Sequence, residues 1–182
     1  MDQNVKDKNV INQKTTNQMI INQKTKSQKT TNKNATKEIE IKDLTRDMID
    51  ECVDLYMDVF SREPWNDVFE SREQVIPYFT NSLANNYYLG YVAMKEGKII
   101  GLCVGMKKPW LAGIEYYIDE FCVHHDLQGQ GIGSFFLSEV EKRAKAAGVN
   151  GFLLNTSKSY EAFQFYQKNG FSPIGDLIVL GK

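Results

Sequence analysis

The hydrophobic and polar positions of residues 37–182 follow two periods. Segments in which apolar residues recur every three or four positions predict helices. Apolar or alternating segments flanked by turns predict strands. The predicted helices are residues 48–60, 75–83, 131–148 and 159–169. The predicted strands are residues 38–41, 87–94, 98–107, 114–123, 151–155, 171–174 and 177–180. This order, β-α-α-β-β-β-α-β-α-β-β, predicts an α+β domain with a mixed, mainly antiparallel sheet and helices on both faces.

Residues 1–36 follow neither period. Asn, Gln, Lys and Thr fill 25 of these 36 positions, and the sequence Ile-Asn-Gln-Lys-Thr occurs at residues 11–15 and again at residues 21–25. The segment has no aromatic residue and too few apolar ones to offset the entropy of ordering. It also has neither the apolar run of a signal peptide nor the arginines of a transit peptide. We therefore predict a disordered low-complexity tail over residues 1–36 and one domain over residues 38–182.

The charge of the chain divides at this boundary. The formal net charge is -1, but the tail carries seven lysines and two aspartates, a net +5. The remainder has 15 basic and 21 acidic residues, a net -6. An acidic domain disfavours nucleic acid as a partner and favours a cationic substrate.

Composition excludes several further classes of protein. No apolar run approaches the roughly 20 residues that span a bilayer, so no membrane association is expected. The three cysteines, Cys52, Cys103 and Cys122, are far apart and form no CxxC motif or Cys/His cluster. This spacing argues against a disulfide framework and against a structural zinc site. We expect a reduced, cytoplasmic protein.

A glycine-rich turn follows the strand at residues 114–123 and opens the next helix. Gly129, Gly131 and Gly133 let the backbone approach a ligand and expose several amide N–H groups at a helix N-terminus, where an anion is favoured. The expected ligand is a phosphate or pyrophosphate. A P-loop requires a lysine before its Ser or Thr, and no lysine is near Ser134. A dinucleotide site requires G-x-G-x-x-G and a distal acid, but the next strand ends in Asn155.

Two segments of the chain form recognisable motifs. The glycine turn reads Gln128-x-x-Gly131-x-Gly133, and the last long helix reads Ala162-x-x-Phe165-Tyr166-x-x-x-Gly170-Phe171. The first resembles the acetyl-CoA signature of the GNAT superfamily of acetyl-CoA-dependent N-acetyltransferases, and the second resembles the other recurring signature of that superfamily. The two stand in the family's order, and the resemblance spans residues 38–182. It implies a GNAT-like fold and direct transfer of an acetyl group from acetyl-CoA to an amine in a ternary complex, with no metal.

The resemblance implies roles for individual residues. The strand before the glycine turn is expected to splay from its neighbour, so that Phe121, Cys122 and Val123 hold the pantetheine arm as an added strand would. Asn155 is expected to reach the pantetheine or the substrate side. Tyr166 is expected beside the CoA sulfur, where its phenol protonates the leaving thiolate. The residues expected to bind the pyrophosphate are Gln128, Gly129, Gln130, Gly131, Ile132, Gly133 and Ser134.

The base that takes the proton from the amine is left open between Asp119 and Glu120. An amine of pKa near 10 is mostly protonated at pH 7, so a nearby carboxylate helps. The run of residues 117–123 resembles polyamine acetyltransferases of this superfamily, in which the earlier acid is the candidate, whereas many members keep a Glu at the later position. Adjacent strand residues face opposite ways, so at most one is expected to face the site, unless a bulge intervenes. The alternative is that water carries the proton.

The acceptor side is expected to be built by loops. Glu63 is a candidate to pair with a cation, and Trp65 and Trp110 are candidates to flank the acceptor; Trp110 alternatively contributes to a homodimer contact. The predicted function is N-acetylation of a primary amine, on an aminoglycoside-like or polyamine-like cation or on a peptide. The alternatives are a non-catalytic acyl-CoA sensor on the same fold and an interaction protein that acts through the tail.

Three residues near the glycine turn have chemistry that this function does not use. Cys122 is interpreted as a packing residue, because direct transfer needs no nucleophilic thiol. His124 and His125 follow the strand and are interpreted as turn residues, so no metal site is expected there.

Overall fold

The structure is a computed structural model that describes residues 36–181. The predicted disordered tail lies, but for its last residue, outside the described residues. In chain order the elements are β1 (Glu40–Asp43), α1 (Ile49–Phe60), α2 (Arg72–Leu83), β2 (Tyr88–Lys95), β3 (Lys98–Trp110), β4 (Gly113–Val123), α3 (Ile132–Ala146), β5 (Gly151–Leu154) and α4 (Glu161–Lys168). Short 3₁₀ turns precede α1 at Arg46–Met48 and follow β4 at His125–Leu127. No helix within residues 36–181 combines the length and the apolar character needed to cross a membrane.

The five strands form one sheet in the order β1-β2-β3-β4-β5. The first three pairings are antiparallel and the pairing of β4 with β5 is parallel, which confirms the predicted mixed, mainly antiparallel sheet. Glu96 and Gly97 form the β2–β3 hairpin turn, and both have positive φ angles, 52° and 78°, as a two-residue hairpin turn requires. The β3–β4 ladder extends to the pair Trp110 and Gly113, so the connection between the strands predicted at residues 98–107 and 114–123 shortens to two residues.

A hydrophobic core lies on each face of the sheet, which confirms the helices on both faces. Strand residues alternate between the two cores, as the pleat of a strand requires. The core under α1 and α2 includes Cys52, Val53, Phe79, Val92, Leu102, Val104 and Cys122. The core under α3 includes Tyr91, Cys103, Tyr116, Ile118, Val123, Phe136 and Val140, with Phe121, Phe165 and Tyr166 packed against it.

A β-bulge interrupts β4 next to the two candidate bases. Val104 pairs with Glu120, but the next residue of β3, Gly105, pairs with Ile118, so Asp119 is the extra residue. A Cβ atom at Gly105 would overlap the backbone of β4 beside the bulge, so this position of β3 requires glycine.

The bulge reverses the alternation of side chains along β4. Before it, Tyr116 and Ile118 belong to the core under α3, whereas after it Phe121 and Val123 do. Cys122 belongs to the core under α1 and α2. The alternation of side chains along β4 therefore cannot predict whether two residues on opposite sides of the bulge face the same core.

The two strands predicted after α4, at residues 171–174 and 177–180, are not formed in the described part of the chain, and this prediction is wrong. Within residues 36–181, β5 pairs with β4 alone, so this segment adds no strand to the sheet. Leu177 to Leu180 remain 77–82% exposed despite four consecutive apolar side chains. The apolar pattern favours a strand, but without a paired neighbour no ladder of hydrogen bonds forms.

Candidate active site

The sheet opens between β4 and β5. Their parallel pairing runs from Glu115 opposite Gly151 to Ile118 opposite Leu154 and stops there. On its other edge β4 stays paired with β3 as far as Val123. The last residues of β4 therefore present one edge that no described strand covers, as the resemblance implies for the strand before the glycine turn.

The glycine turn lies at the end of this uncovered edge. Gly129 and Gly131 have φ angles of 72° and 84°, in the left-handed region that favours glycine. Gly131 is the N-cap residue of α3, where no side chain of residues 36–181 caps the helix and no acidic residue stands in the first turn. The N–H groups of a first helical turn have no intrahelical acceptor, so those of Ile132 and Gly133 are available to an anion.

Two glutamine side chains brace the turn. Gln128 donates from its amide nitrogen to the carbonyl oxygen of Val123 at 3.0 Å. Gln130 donates in the same way to the carbonyl oxygen of Asp126 at 2.9 Å. Both side chains are thus engaged with the preceding backbone, which leaves the contact with an anion to backbone N–H groups.

Gly133 has a packing role that its position in the signature did not predict. A Cβ atom there would lie 3.2 Å from the ring of Phe165 on α4. The Phe165 ring stacks on Phe121 with centroids 5.7 Å apart, and Phe121 stacks on Phe136 at 5.3 Å. Glycine at this position therefore lets α3 approach α4 closely.

Tyr166 lies on α4 beside the uncovered end of β4. Its ring packs edge-on against Phe121 and Phe171, with centroid distances of 6.4 and 5.6 Å. Burial raises the pKa of the Tyr166 phenol, and the nearby Cys103 and Glu120 raise it further. The phenol therefore keeps its proton throughout the physiological range, and Glu120 is within electrostatic range of it.

Glu120 points toward α1. The Tyr56 hydroxyl donates a hydrogen bond to its Oε1 atom at 3.4 Å. Burial raises the pKa of the Glu120 carboxyl from 4.5 to about 7; the bond from Tyr56 opposes this rise, while the charges of Asp119 and Asp67 add to it. A carboxyl with a pKa near 7 can accept and release a proton at neutral pH.

Asp119, the extra residue of the bulge, is exposed. Partial desolvation of its carboxyl raises its pKa. Burial raises the pKa of Tyr78 on α2, and the charges of both Glu120 and Asp119 raise it further. The bulge thus keeps both candidate bases within electrostatic range of the same phenol.

Aromatic side chains of α1, α2 and their connecting loop cluster around Tyr56, the hydrogen-bond donor to Glu120. Tyr56 is central, with ring centroids 4.6 to 6.0 Å from those of Phe60, Phe69, Tyr78 and Phe79. Sequence reasoning missed this cluster, because helical spacing alone marks Tyr56 and Tyr78 as ordinary core positions. Their hydroxyls, on otherwise apolar helix faces, are the signal that could have revealed it.

The three residues predicted on the acceptor side are not brought together. Trp65 packs edge-on against Tyr160, which precedes α4, at a centroid distance of 4.8 Å, so the α1–α2 loop reaches across to α4. Glu63 is exposed in the same loop. Trp110 is 65% exposed at the β3–β4 turn. Seven residues of β4 separate this turn from Glu120, which is roughly 24 Å along a strand.

Asn155 follows β5, and its side-chain amide donates a hydrogen bond to the hydroxyl of Tyr117. A cavity of about 470 Å³ opens beside this pair, between β5, α4 and the C-terminal segment, and Tyr166 contributes to its wall. Cys122 is buried, and burial raises the pKa of its thiol. Its thiol therefore stays protonated, in keeping with a packing role.

Comparison with known proteins identifies the class to which this architecture belongs. The sequence profile of the Acetyltransferase (GNAT) family matches residues 49–171. The chain belongs to this family. None of the curated proteins compared with the chain matches it.

Solved structures share the fold. A transcriptional regulator from Bacillus halodurans C-125 is 21% identical, with a TM-score of 0.66 over 79% of this chain and 99% of that one. An aminoglycoside acetyltransferase from an uncultured soil metagenomic sample, in complex with sisomicin, is 18% identical, with a TM-score of 0.65 over 80% and 96%. An aminoglycoside N-acetyltransferase in complex with CoA is 15% identical, with a TM-score of 0.64 over 79% and 94%. At identities this low, the structural similarity establishes a common fold and nothing more.

Proposed function

We propose that the protein is an acetyl-CoA-dependent N-acetyltransferase that moves the acetyl group directly to a primary amine on a small cationic molecule. The observation that carries this proposal is the pair of groups at the opening of the sheet. Glu120 has a pKa of about 7, and Tyr166 has a phenol that stays protonated. The first group is suited to accept a proton and the second to donate one, which are the two proton transfers of amine acylation.

The residues present fit CoA. The N-terminus of α3 has no side-chain cap from the described part of the chain and no acid in its first turn, so its N–H groups suit a pyrophosphate. The uncovered edge of β4 at Phe121, Cys122 and Val123 suits the amide groups of a pantetheine arm. Bound there, acetyl-CoA supplies a thioester whose carbonyl carbon an amine can attack. The CoA complex of a structural neighbour supports this assignment.

Each proton then has a defined path. Glu120, as its carboxylate, takes a proton from the acceptor ammonium or from the attacking amine, directly or through water. Tyr166 gives its phenolic proton to the sulfur as the carbon–sulfur bond breaks. The bond donated by Tyr56 holds the Glu120 carboxyl in place. Neither step needs a covalent enzyme intermediate, in keeping with the buried, protonated thiol of Cys122.

The acceptor side favours a cation. The charges of Asp119 and Asp67 raise the pKa of Glu120. The charge of Glu120 in turn raises the pKa of the phenols of Tyr56 and Tyr78 on the same face. Aromatic rings beside these carboxyls provide apolar and cation–π contacts for an ammonium group. Two structural neighbours that act on aminoglycosides support a small polycationic amine as the acceptor.

Replacing Tyr166 by Phe tests the proposal most directly. The change removes only a hydroxyl, so the ring contacts with Phe121 and Phe171 are kept. We expect kcat to fall about 10²-fold or more, with little change in acetyl-CoA affinity, because the leaving sulfur loses its proton donor. Steady-state kinetics and calorimetric titration with CoA measure the two quantities.

A matched control is Tyr91→Phe, since Tyr91 is also packed in the core under α3 but lies on β2, away from the opening of the sheet. This control is expected to keep the wild-type kcat. If Tyr166→Phe turns over at the wild-type rate, Tyr166 is a packing residue and the proposed acid is wrong. If the wild type binds CoA but acetylates no amine, the protein is a sensor on this fold.

The acceptor is best identified by a screen at two ionic strengths. We expect amines that carry a second positive charge to be preferred over acidic amines, because residues 37–182 have a net charge of -6. The kcat/KM for such amines should fall as salt rises, since the Debye length is about 8 Å at 0.15 M. A preference for an acidic acceptor, such as glutamate, would contradict the charge argument and leave the acetyltransferase assignment intact.

A further inference from the structure

The chain contains two histidines, and they are adjacent. His124 and His125 follow β4, and their rings stack with centroids 4.5 Å apart. Both lie against Asp58 near the end of α1: its Oδ2 atom is 2.8 Å from Nδ1 of His125 and 3.9 Å from Nε2 of His124. One nitrogen from each ring and one oxygen of Asp58 all lie within 4.8 Å of one another.

Neighbouring side chains orient this cluster. Nδ1 of His125 is within hydrogen-bond distance of Oδ2 of Asp58, at 2.8 Å, and Nε2 of the same ring lies 3.1 Å from Oδ1 of Asp126. An ion that binds at Nδ1 takes the place of a proton there, and the ring keeps its N–H group on Nε2, facing Asp126. Arg62 donates to Oδ1 of Asp58 at 2.7 Å, which leaves Oδ2 toward the two rings. Metal-ligating histidines and carboxylates are held by outer hydrogen bonds of this kind.

We propose that Asp58, His124 and His125 bind one divalent transition-metal ion, with Zn²⁺ as the representative ion. Two imidazole nitrogens and one carboxylate oxygen are ligands that zinc accepts, and they leave a fourth position for water. Tetrahedral zinc with bonds near 2.1 Å places its ligand atoms about 3.4 Å apart. Of the two separations from Oδ2, 3.9 Å is the closer to this value, whereas 2.8 Å is a hydrogen-bond distance, so the side chains of Asp58 and His125 must move apart to admit the ion.

The His124 ring also changes its protonation on binding. Nδ1 of His124 lies 3.3 Å from the backbone nitrogen of Asp126 and accepts its hydrogen bond. Binding of an ion at Nε2 of His124 moves the ring proton from Nε2 to Nδ1. The N–H group of Asp126, an exposed residue, then donates its hydrogen bond to water instead. The bound ion links the end of α1 to the segment that enters the glycine turn.

The site is separate from the proposed transfer chemistry. Its three ligands are distinct from Glu120 and Tyr166, and the two proton transfers proposed for those groups do not involve the ion. We assign the ion a cross-linking role, because it joins two elements that otherwise meet through hydrogen bonds at this corner of the fold. Binding to the folded form should therefore raise the melting temperature of the protein.

The experiment is calorimetric titration of the untagged full chain with ZnCl₂, followed by thermal melting with and without the ion. We expect one Zn²⁺ per chain and a higher melting temperature in its presence. Asp58→Asn and His125→Gln should each weaken binding by at least about tenfold. Glu38→Gln, the same type of change at an exposed carboxyl elsewhere, should bind as the wild type does. Mg²⁺, which prefers oxygen ligands, should not bind at this site.

Imidazole NMR signals complete the test, because the chain has only these two histidines. Both rings should shift on addition of Zn²⁺, and Asp58→Asn should need at least about tenfold more Zn²⁺ for the same shifts. Circular dichroism verifies that each variant is folded. The absence of zinc binding by the wild type would overturn the proposal. So would binding that is unchanged in Asp58→Asn and His125→Gln, since the ion would then lie elsewhere on the chain.

Discussion

Glu120→Gln should reduce kcat by about 10²-fold or more. Glutamine has the size of glutamate and can still accept the hydrogen bond from Tyr56, but it cannot take a proton from the amine. In the wild type, kcat/KM should rise with pH through about 7, the pKa of Glu120, because the base acts only when it is deprotonated. This rise of kcat/KM near pH 7 should be absent in the variant. There, kcat/KM should rise only at the higher pH at which the amine itself loses its proton.

Thermal stability separates this loss of activity from a loss of fold. The pKa of Glu120 is raised from 4.5 to about 7 in the folded protein, mainly by burial. Its protonation therefore favours the folded state at low pH, and this contribution is lost as the pH rises from about 4.5 through about 7. Glutamine has no charge to bury, so the variant should melt at a higher temperature than the wild type at pH 8. The difference should shrink below pH 5.

The matched control is Asp119→Asn, at the neighbouring position in the bulge. Asp119 is exposed and receives no hydrogen bond from the side chains that the structure describes, unlike Glu120, which accepts one from Tyr56. We therefore expect a smaller loss of kcat, and the rise of kcat/KM near pH 7 should remain. If Asp119→Asn abolishes turnover while Glu120→Gln does not, the base is Asp119. Wild-type kinetics in both variants would indicate that water carries the proton.

The sequence predicts the sheet and its helices well because each element has a clear apolar period. It cannot predict the environment of Glu120. The bulge at Asp119 depends on Gly105 of the neighbouring strand, which provides the space opposite it. Nothing in the local sequence of β4 marks this register shift, since alternation is a property of one strand and a bulge is a property of a pair.

The other features that the sequence does not predict also depend on contacts between residues far apart in the chain. Gly133 fits the acetyl-CoA signature, yet its contact with Phe165 arises only when α3 and α4 pack together. The segment at residues 177–180 has the composition of a strand but no partner within the described residues. Tyr56 and Tyr78 look like core positions of two separate helices until the fold brings both toward Glu120.

Gly131→Glu should abolish CoA binding while the protein stays folded. Gly131 caps the N-terminus of α3, whose free N–H groups suit the pyrophosphate. A glutamate there introduces a negative charge where the anion would bind and adds a side chain to a backbone that must come close to it. Calorimetric titration with CoA measures the loss, and circular dichroism verifies the fold.

The strain of the substitution needs its own control, because Gly131 has a φ angle of 84°. A non-glycine residue in the left-handed region costs about 1–2 kcal/mol. Gly148, after the other end of α3, has a φ angle of 90° and open space where a Cβ atom would lie, so Gly148→Glu introduces similar strain without a role in binding. A glutamate near a helix C-terminus is also less favourable than one near the N-terminus. Gly148→Glu should thus be the less stable of the two variants and still bind CoA. Wild-type CoA affinity in Gly131→Glu would contradict the assignment of the glycine turn to the pyrophosphate.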